Sequence, residues 1–204
     1  MIASDAWRFL IPLIVLTIAS ILLTWISLGV FLLLLTGFVA FFFRNPPRNI
    51  PSDPSIIVSP ADGKVVKIDR VGNVTKMSIF LSLFNVHVNR SPIAGSIEAL
   101  EYRKGTFKAA YNPAASIENE RNVIMVNDGR IKIVFTQIAG VVARRIVFWK
   151  RVGDTVKKGE LVGLIRFGSR VDILFPAGTE ATVTVGDRVR GGSSPIGVIR
   201  KSNG

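Results

Sequence analysis

Phe9 to Phe43 is an apolar block of 35 positions without a charged residue. At about 1.5 Å per residue, one straight helix of that length would reach roughly 50 Å, well past a hydrocarbon core of about 30 Å. Ser27-Leu28-Gly29 offers a break near its middle. The pattern therefore predicts two short helices, over 10–26 and 29–43, folded as a hairpin that spans a membrane or inserts part-way. Arg44-Asn45-Pro46-Pro47-Arg48 closes the block, and its paired prolines stop a helix and stiffen the linker. The block is too long for a cleaved signal peptide, and no small-x-small site precedes a polar start. Arg44 and Arg48 mark their side of a membrane as cytoplasmic.

From Ile56 onward the period changes. Val65-Val66-Lys67-Ile68, Lys76 to Leu81, Asn122 to Val126, Arg130 to Phe135 and Arg145 to Phe148 are short β-rich runs, several alternating apolar with polar. No convincing amphipathic helix interrupts them. The fold class expected is mainly β: a barrel-sandwich-like β domain with hairpin repeats, preceded by a hydrophobic helical hairpin. The expected division is 1–48 for hairpin and linker and 49–204 for the β-rich domain. The hairpin repeats are visible directly. Val152-Gly153-Asp154-Thr155-Val156-Lys157-Lys158-Gly159 is echoed by Val185-Gly186-Asp187-Arg188-Val189-Arg190-Gly191-Gly192, and Ser59-Pro60-Ala61-Asp62-Gly63 by Ser91-Pro92-Ile93-Ala94-Gly95. Gly-Asp is a turn signal between β arms, and such units look like the hairpins of lipoyl and biotinyl carriers.

Leu164 to Pro176 reads as two buried strand halves interrupted by Gly168-Ser169-Arg170. Glycine inside a strand weakens it and often marks a bulge or a close backbone approach. On this stretch alone, the plainer reading is a β-bulge with a satisfied serine.

Composition narrows the chemistry. The net charge is +12, and residues 1–50 carry only +2 of it. A basic domain beside an apolar anchor suits an anionic membrane surface. A nucleic-acid partner is not expected, because aromatic residues do not interleave a Lys/Arg stripe. There is no cysteine, which excludes disulfides, thiolate catalysis and Cys-based zinc sites. A single histidine, His87, disfavours a histidine-rich metal site. Taken singly, His87 reads as a structural histidine among apolar neighbours and Asp62 as a turn aspartate capping local amides.

Four motifs in order change that balance: Ser59-Pro60-Ala61-Asp62-Gly63, Asn85-Val86-His87-Val88, Glu118-Asn119-Glu120-Arg121-Asn122, and Phe167-Gly168-Ser169-Arg170. Over most of residues 44–204 the chain resembles the phosphatidylserine decarboxylase proenzyme family in its short bacterial and archaeal form, with archaetidylserine decarboxylase as the close variant. Phe167-Gly168-Ser169-Arg170 stands where the long form has Leu-Gly-Ser-Thr. The family often has two histidines three apart; here the earlier position is Phe84, so only His87 carries over.

The resemblance implies a membrane-anchored lyase of phospholipid biosynthesis, made as a zymogen. Its Ser169 hydroxyl would attack the Gly168 carbonyl, and β-elimination from the resulting ester would split the chain. That leaves a β chain of residues 1–168 and an α chain from 169 to 204 whose first residue is a pyruvoyl group. The pyruvoyl carbonyl would form a Schiff base with the headgroup amine of a serine phospholipid and accept electrons as carbon dioxide leaves. Asp62, His87 and Ser169 would form the catalytic set, by the logic in which an acid orients a histidine that serves a hydroxyl. Glu120 and Arg121 would support the site, and Arg90, Arg170, Arg103 and Lys104 are candidates for the lipid phosphate. No metal is expected, the only cofactor being the pyruvoyl group. The expected partners are the lipid substrate, the membrane, and the two chains of one precursor, with homo-oligomerisation left open. Two other readings compete: a membrane-tethered lipoyl or biotinyl carrier, for which Lys157-Lys158 sits in a turn, and a purely structural β module.

Overall fold

The computed structural model describes residues 1–108, 115–140, 145–166 and 169–200. The chain divides into two compact units, Met1–Pro47 and Arg48–Gly204.

In the first unit a 3-10 turn, Ser4–Ala6, leads into α1 (Trp7–Leu22), which packs against α2 (Ile26–Phe42). The hairpin expected from the apolar block is present, but its break lies earlier than Ser27-Leu28-Gly29. The chain reverses at Leu23-Thr24-Trp25, where Thr24 takes a left-handed φ of 61° and Trp25 N–H bonds to Ser20 O at 2.8 Å. Gly29 instead lies within α2, and a Cβ there would sit 3.0 Å from Ile21 Cγ1. The missing side chain serves close helix packing, so glycine marked the contact rather than the turn. Thr17, Ser20 and Thr36 satisfy their hydroxyls on carbonyls one turn back, at 2.7–2.8 Å, as an apolar surrounding requires. Ser4–Leu22 is long and apolar enough to cross a membrane, and Ile26–Phe42 is a shorter apolar helix.

Among its described residues the second unit is built of strands, with one short helix, α3 (Ala115–Glu118). In chain order they are β1 (Ile56–Val58), β2 (Gly63–Val71), β3 (Val74–Leu81), β4 (Val88–Arg90), β5 (Gly95–Arg103), β6 (Arg121–Asn127) and β7 (Lys132–Ala139). Then come β8 (Ile146–Phe148), β9 (Thr155–Val156), β10 (Leu161–Ile165), β11 (Ser169–Phe175), β12 (Thr179–Ala181), β13 (Arg188–Val189) and β14 (Pro195–Ile199). Eight strands form one sheet in the order β13-β2-β3-β11-β7-β6-β5-β9. β4-β10-β8 and β1-β14-β12 form two smaller sheets.

The two halves of Leu164–Pro176 are therefore not one bulged strand. β10 is the centre of a small sheet, and β11 lies in the middle of the large one. The chain changes sheet between Ile165 and Ser169, over a stretch that includes Phe167 and Gly168, which lie outside the described residues.

The sequence repeat is a structural repeat. Gly153 and Gly186 both have positive φ, 93° and 107°, as the Gly-Asp turns need. Gly153 N–H bonds to Ile97 O on β5, and Gly186 N–H to Val65 O on β2. Each copy then adds a two-residue strand to one edge of the large sheet, β9 beside β5 and β13 beside β2. Ser59 and Ser91 each close a local turn, onto Ala61 O at 2.6 Å and Ile93 O at 2.7 Å.

Across the large sheet, side chains on one face form rows. Met77, Ile173, Phe135 and Ile124 face each other on four successive strands and are wholly buried. Each such side chain contributes about 1.5–3 kcal/mol of burial. The next row is Ile79, Val171, Gln137 and Asn122, and the one after it holds Leu81, Ser169 and Ala139. Along this face the core turns from apolar to polar within two steps.

Candidate active site

Ser169 opens β11 between Leu81 of β3 and Ala139 of β7. Alternation along β11 turns it to the same face as Val171 and Ile173, toward the core. It is fully buried, and among the described residues its Oγ has no hydrogen-bond partner. An unsatisfied buried hydroxyl costs about 1–3 kcal/mol, so its retention calls for a reason.

Gln137, one step along that face, is also fully buried. Asn122 Nδ2 donates to its Oε1 at 3.1 Å, which leaves Gln137 Nε2 to donate to Asn89 Oδ1 at 2.9 Å. Asn89 belongs to β4, so this chain of amides ties the small sheet to the large one. It needs Gly163 beneath it: a Cβ there would lie 3.2 Å from Gln137 Nε2 and 2.2 Å from Val147 O.

His87 lies two residues before Asn89, immediately ahead of β4. Its carbonyl accepts from Ile165 N–H at 3.2 Å. Ser169 follows Ile165 by four residues, a reach of at most about 14 Å. The amide link and the pairing of β4 with β10 tie the His87 segment to the sheet that holds Ser169. His87 is 2% exposed, with Nδ1 2.9 Å from Asn85 O. A carbonyl only accepts, so Nδ1 carries a proton, and Nε2 is the acceptor whenever the ring is neutral.

Asp62 is engaged by Arg48. Both its oxygens accept from Arg48 Nη2, at 3.0 and 2.9 Å, and Oδ1 also accepts from Gly191 N–H at 2.8 Å. Arg90 lies close enough to feel both. Burial holds its guanidinium below the usual arginine value, Arg48 lowers it further, and Asp62 opposes both. In the second copy of the repeat, Ala94 and Lys158 occupy the positions of Asp62 and Gly191. Asp62 is thus where the symmetry is broken by a charge. His87 Nδ1 lies against the Asn85 carbonyl, and Asp62 holds Arg48.

Of the other expected residues, Arg170 lies on the face of β11 opposite Ser169 and pairs with Asp172 at 2.9 Å. Arg90 Nη1 donates to Gly159 O at 2.8 Å. Arg103 is an exposed partner of Glu101, and Lys104 is exposed. Arg121 donates to the carbonyls of Ile117 and Asn119. Glu120 hydrogen-bonds the Tyr102 phenol, which burial first, then that bond and the Glu120 charge, push up to about 12. Gly168 lies outside the described residues.

The sequence reading passed over the amides. Asn119 is fully buried and donates to Ala139 O and Lys108 O, both at 2.7 Å, which fixes the strand partner of Ser169. Asn is depleted in strands, so Asn89 and Asn122 inside β runs were the available signal. Among the described residues, no group of three or more His, Cys, Asp or Glu side chains is arranged to hold a metal ion.

Comparison with known proteins agrees with the order of motifs. The family described as Phosphatidylserine decarboxylase matches residues 35–197. A phosphatidylserine decarboxylase proenzyme of Solibacter usitatus is 48% identical over 181 residues, covering 87% of this chain and 88% of its own. One from Carboxydothermus hydrogenoformans is 46% identical over 205 residues, covering 96% and 95%. One from Desulfotalea psychrophila is 45% identical over 175 residues, covering 82% of each.

Proposed function

The chain belongs to the phosphatidylserine decarboxylase family, and on that premise we propose that it removes the headgroup carboxylate of a serine phospholipid using a pyruvoyl group made from its own Ser169. The observation that carries this reading is the buried Ser169 Oγ at the head of β11, which has no hydrogen-bond partner among the described residues. A serine with only a structural role would have found a partner. A serine about to attack the preceding carbonyl gains from having none, because no competing hydrogen bond must be broken.

The residues around it suit the task. His87, with its proton held on Nδ1, offers Nε2 as the base that takes the Ser169 proton. The Oγ then bonds to the Gly168 carbonyl carbon as the Gly168–Ser169 amide breaks, giving an ester. β-Elimination releases Gly168 as a carboxylate, and water replaces the former Ser169 nitrogen, which leaves as ammonia. Leu81, Ala139 and Val171 line the Ser169 side with apolar atoms and limit side reactions with water. When formed, the pyruvoyl group supplies an electron sink for decarboxylation. His87 is the group able to hold or return a proton there.

The headgroup reaction is the same for phosphatidylserine and for ether-linked archaetidylserine, so both fall within this reading. The apolar hairpin would hold the enzyme at a membrane, with the β domain on the cytoplasmic side. A lipoyl or biotinyl carrier is disfavoured by Lys158, whose Nζ is engaged by the carbonyls of Asp53 and Ile56 rather than displayed for modification.

Intact mass of the purified protein tests the proposal. Two chains are expected, dividing at Gly168/Ser169, and the shorter should carry a blocked, borohydride-reducible N-terminus. Ser169→Ala should leave one uncut, inactive chain. A single unmodified wild-type chain that still decarboxylates the lipid would refute it.

A further inference from the structure

The loop between β3 and β4 ends in a turn whose composition is inverted. Asn85 N–H bonds to Ser82 O at 3.0 Å, while Asn85 Oδ1 accepts from Ser82 N–H at 2.8 Å and Ser82 Oγ at 2.7 Å. These bonds fix Ser82-Leu83-Phe84-Asn85 as a closed turn. Its two corner positions normally carry Gly, Pro, Asn or Asp. Here they carry Leu83 and Phe84, which are 41% and 72% exposed. The very next residues, Val86 and His87, are 4% and 2% exposed. The chain thus displays two large apolar side chains outward and turns at once into the site.

The backbone that pairs with His87 leads to basic residues, and the domain as a whole is basic. Ile165, which bonds to His87, is followed by Arg166, whose N–H bonds to Arg145 O at 3.2 Å, and Arg145 is exposed. All but one unit of the +12 net charge belongs to Arg48–Gly204.

We propose that the Leu83–Phe84 turn is an interfacial membrane wedge, which enters a lipid surface bearing anionic headgroups and brings the mouth of the site to the substrate's level. It is a contact separate from the apolar hairpin. Two side chains cover far less than the roughly 1,200 Å² that a specific protein interface buries. A small apolar insertion on a strongly basic domain is instead what a charged lipid surface requires. The inference rests on the lipid-decarboxylase reading for its purpose, but its physical claim can be tested without it.

The chain has no cysteine, so Phe84→Cys accepts a single thiol-reactive NBD label. The full chain is reconstituted in phosphatidylcholine vesicles with and without phosphatidylserine. NBD at position 84 should shift to the blue and be quenched by spin-labelled acyl chains several-fold more than NBD on Val185→Cys, a residue 58% exposed on another turn. The difference should grow with phosphatidylserine. Equal quenching at the two positions, or a blue shift that needs no lipid, overturns the proposal. In a second arm, Leu83→Asn with Phe84→Asn should lower kcat/KM on vesicles about 10-fold and leave turnover of a dispersed short-chain substrate unchanged. Equal loss on both substrates also overturns it. Should neither protein decarboxylate anything, the chemical reading fails, and the label alone decides the wedge.

Discussion

Gln137 on β7 donates from Nε2 to Asn89 Oδ1 on β4 across 2.9 Å, and this bond joins the sheet that holds Ser169 to the segment that holds His87. Both residues are fully buried, and Asn122 fixes which way the Gln137 amide faces. Gln137→Leu keeps volume but strands two amides in the core. Unfolding free energy should fall by about 2–4 kcal/mol, read by denaturant titration of uncleaved Ser169→Ala protein. Processing of the same substitution in wild-type background should slow at a temperature where the domain is still folded. A loss under ~0.5 kcal/mol would mean the link is not structural.

Asp62→Ala should act through the arginines. Arg48 is 7% exposed at its side chain and would be left as a buried charge without its partner. Destabilisation of about 3–5 kcal/mol is expected, and pairing the change with Arg48→Met should restore much of it. If Asp62 served chiefly to orient His87, Asp62→Ala would slow maturation with little change in stability, and Arg48→Met would rescue nothing.

His87→Ala should slow cleavage at Ser169 by about 10²–10⁴-fold, followed as chain conversion on gels. Because a backbone carbonyl orients the ring, Asn85→Ala should keep that contact with Nδ1 and cost far less than His87→Ala. It does remove the caps on Ser82 and loosen the turn. Unchanged cleavage in His87→Ala would remove the imidazole from the mechanism.

Glu160 should contribute acid-sensitive stability. Burial works to raise its pKa, but hydrogen bonds from Lys150 and the Lys157 N–H, with the charges of both lysines, outweigh it and hold the carboxyl below its ordinary value. A depressed folded-state pKa gives stability that is present above the unfolded value and lost as pH falls through the folded one. The melting temperature of Ser169→Ala protein should therefore drop below about pH 4.5, and Glu160→Gln should flatten that drop. Parallel curves for the two proteins would contradict this.

Removing residues 1–43 should release the β domain from neutral vesicles while leaving its circular dichroism intact. Continued pelleting with neutral vesicles at high salt would show that the apolar hairpin is not the main anchor.

The sequence by itself determined the apolar hairpin, the β-rich remainder and the internal repeat. Each comes from a local pattern: absence of charge over a long run, a period of two, and Gly-Asp turns that need positive φ. It also marked Ser169 and His87, because a lone Gly-Ser in an apolar run and a single histidine are legible as residues. The place of the helix break was misjudged, since whether Gly29 turns a chain or admits a neighbour depends on Ile21 being opposite it. Tertiary structure alone decided that β10 and β11 belong to different sheets, that Asn89, Gln137 and Asn122 connect them, and that Asp62 meets Arg48. These are pairings between residues 14 to 48 positions apart, set by which strands lie side by side. A buried polar group takes whichever partner the packing brings within reach, and no local pattern records which one that is.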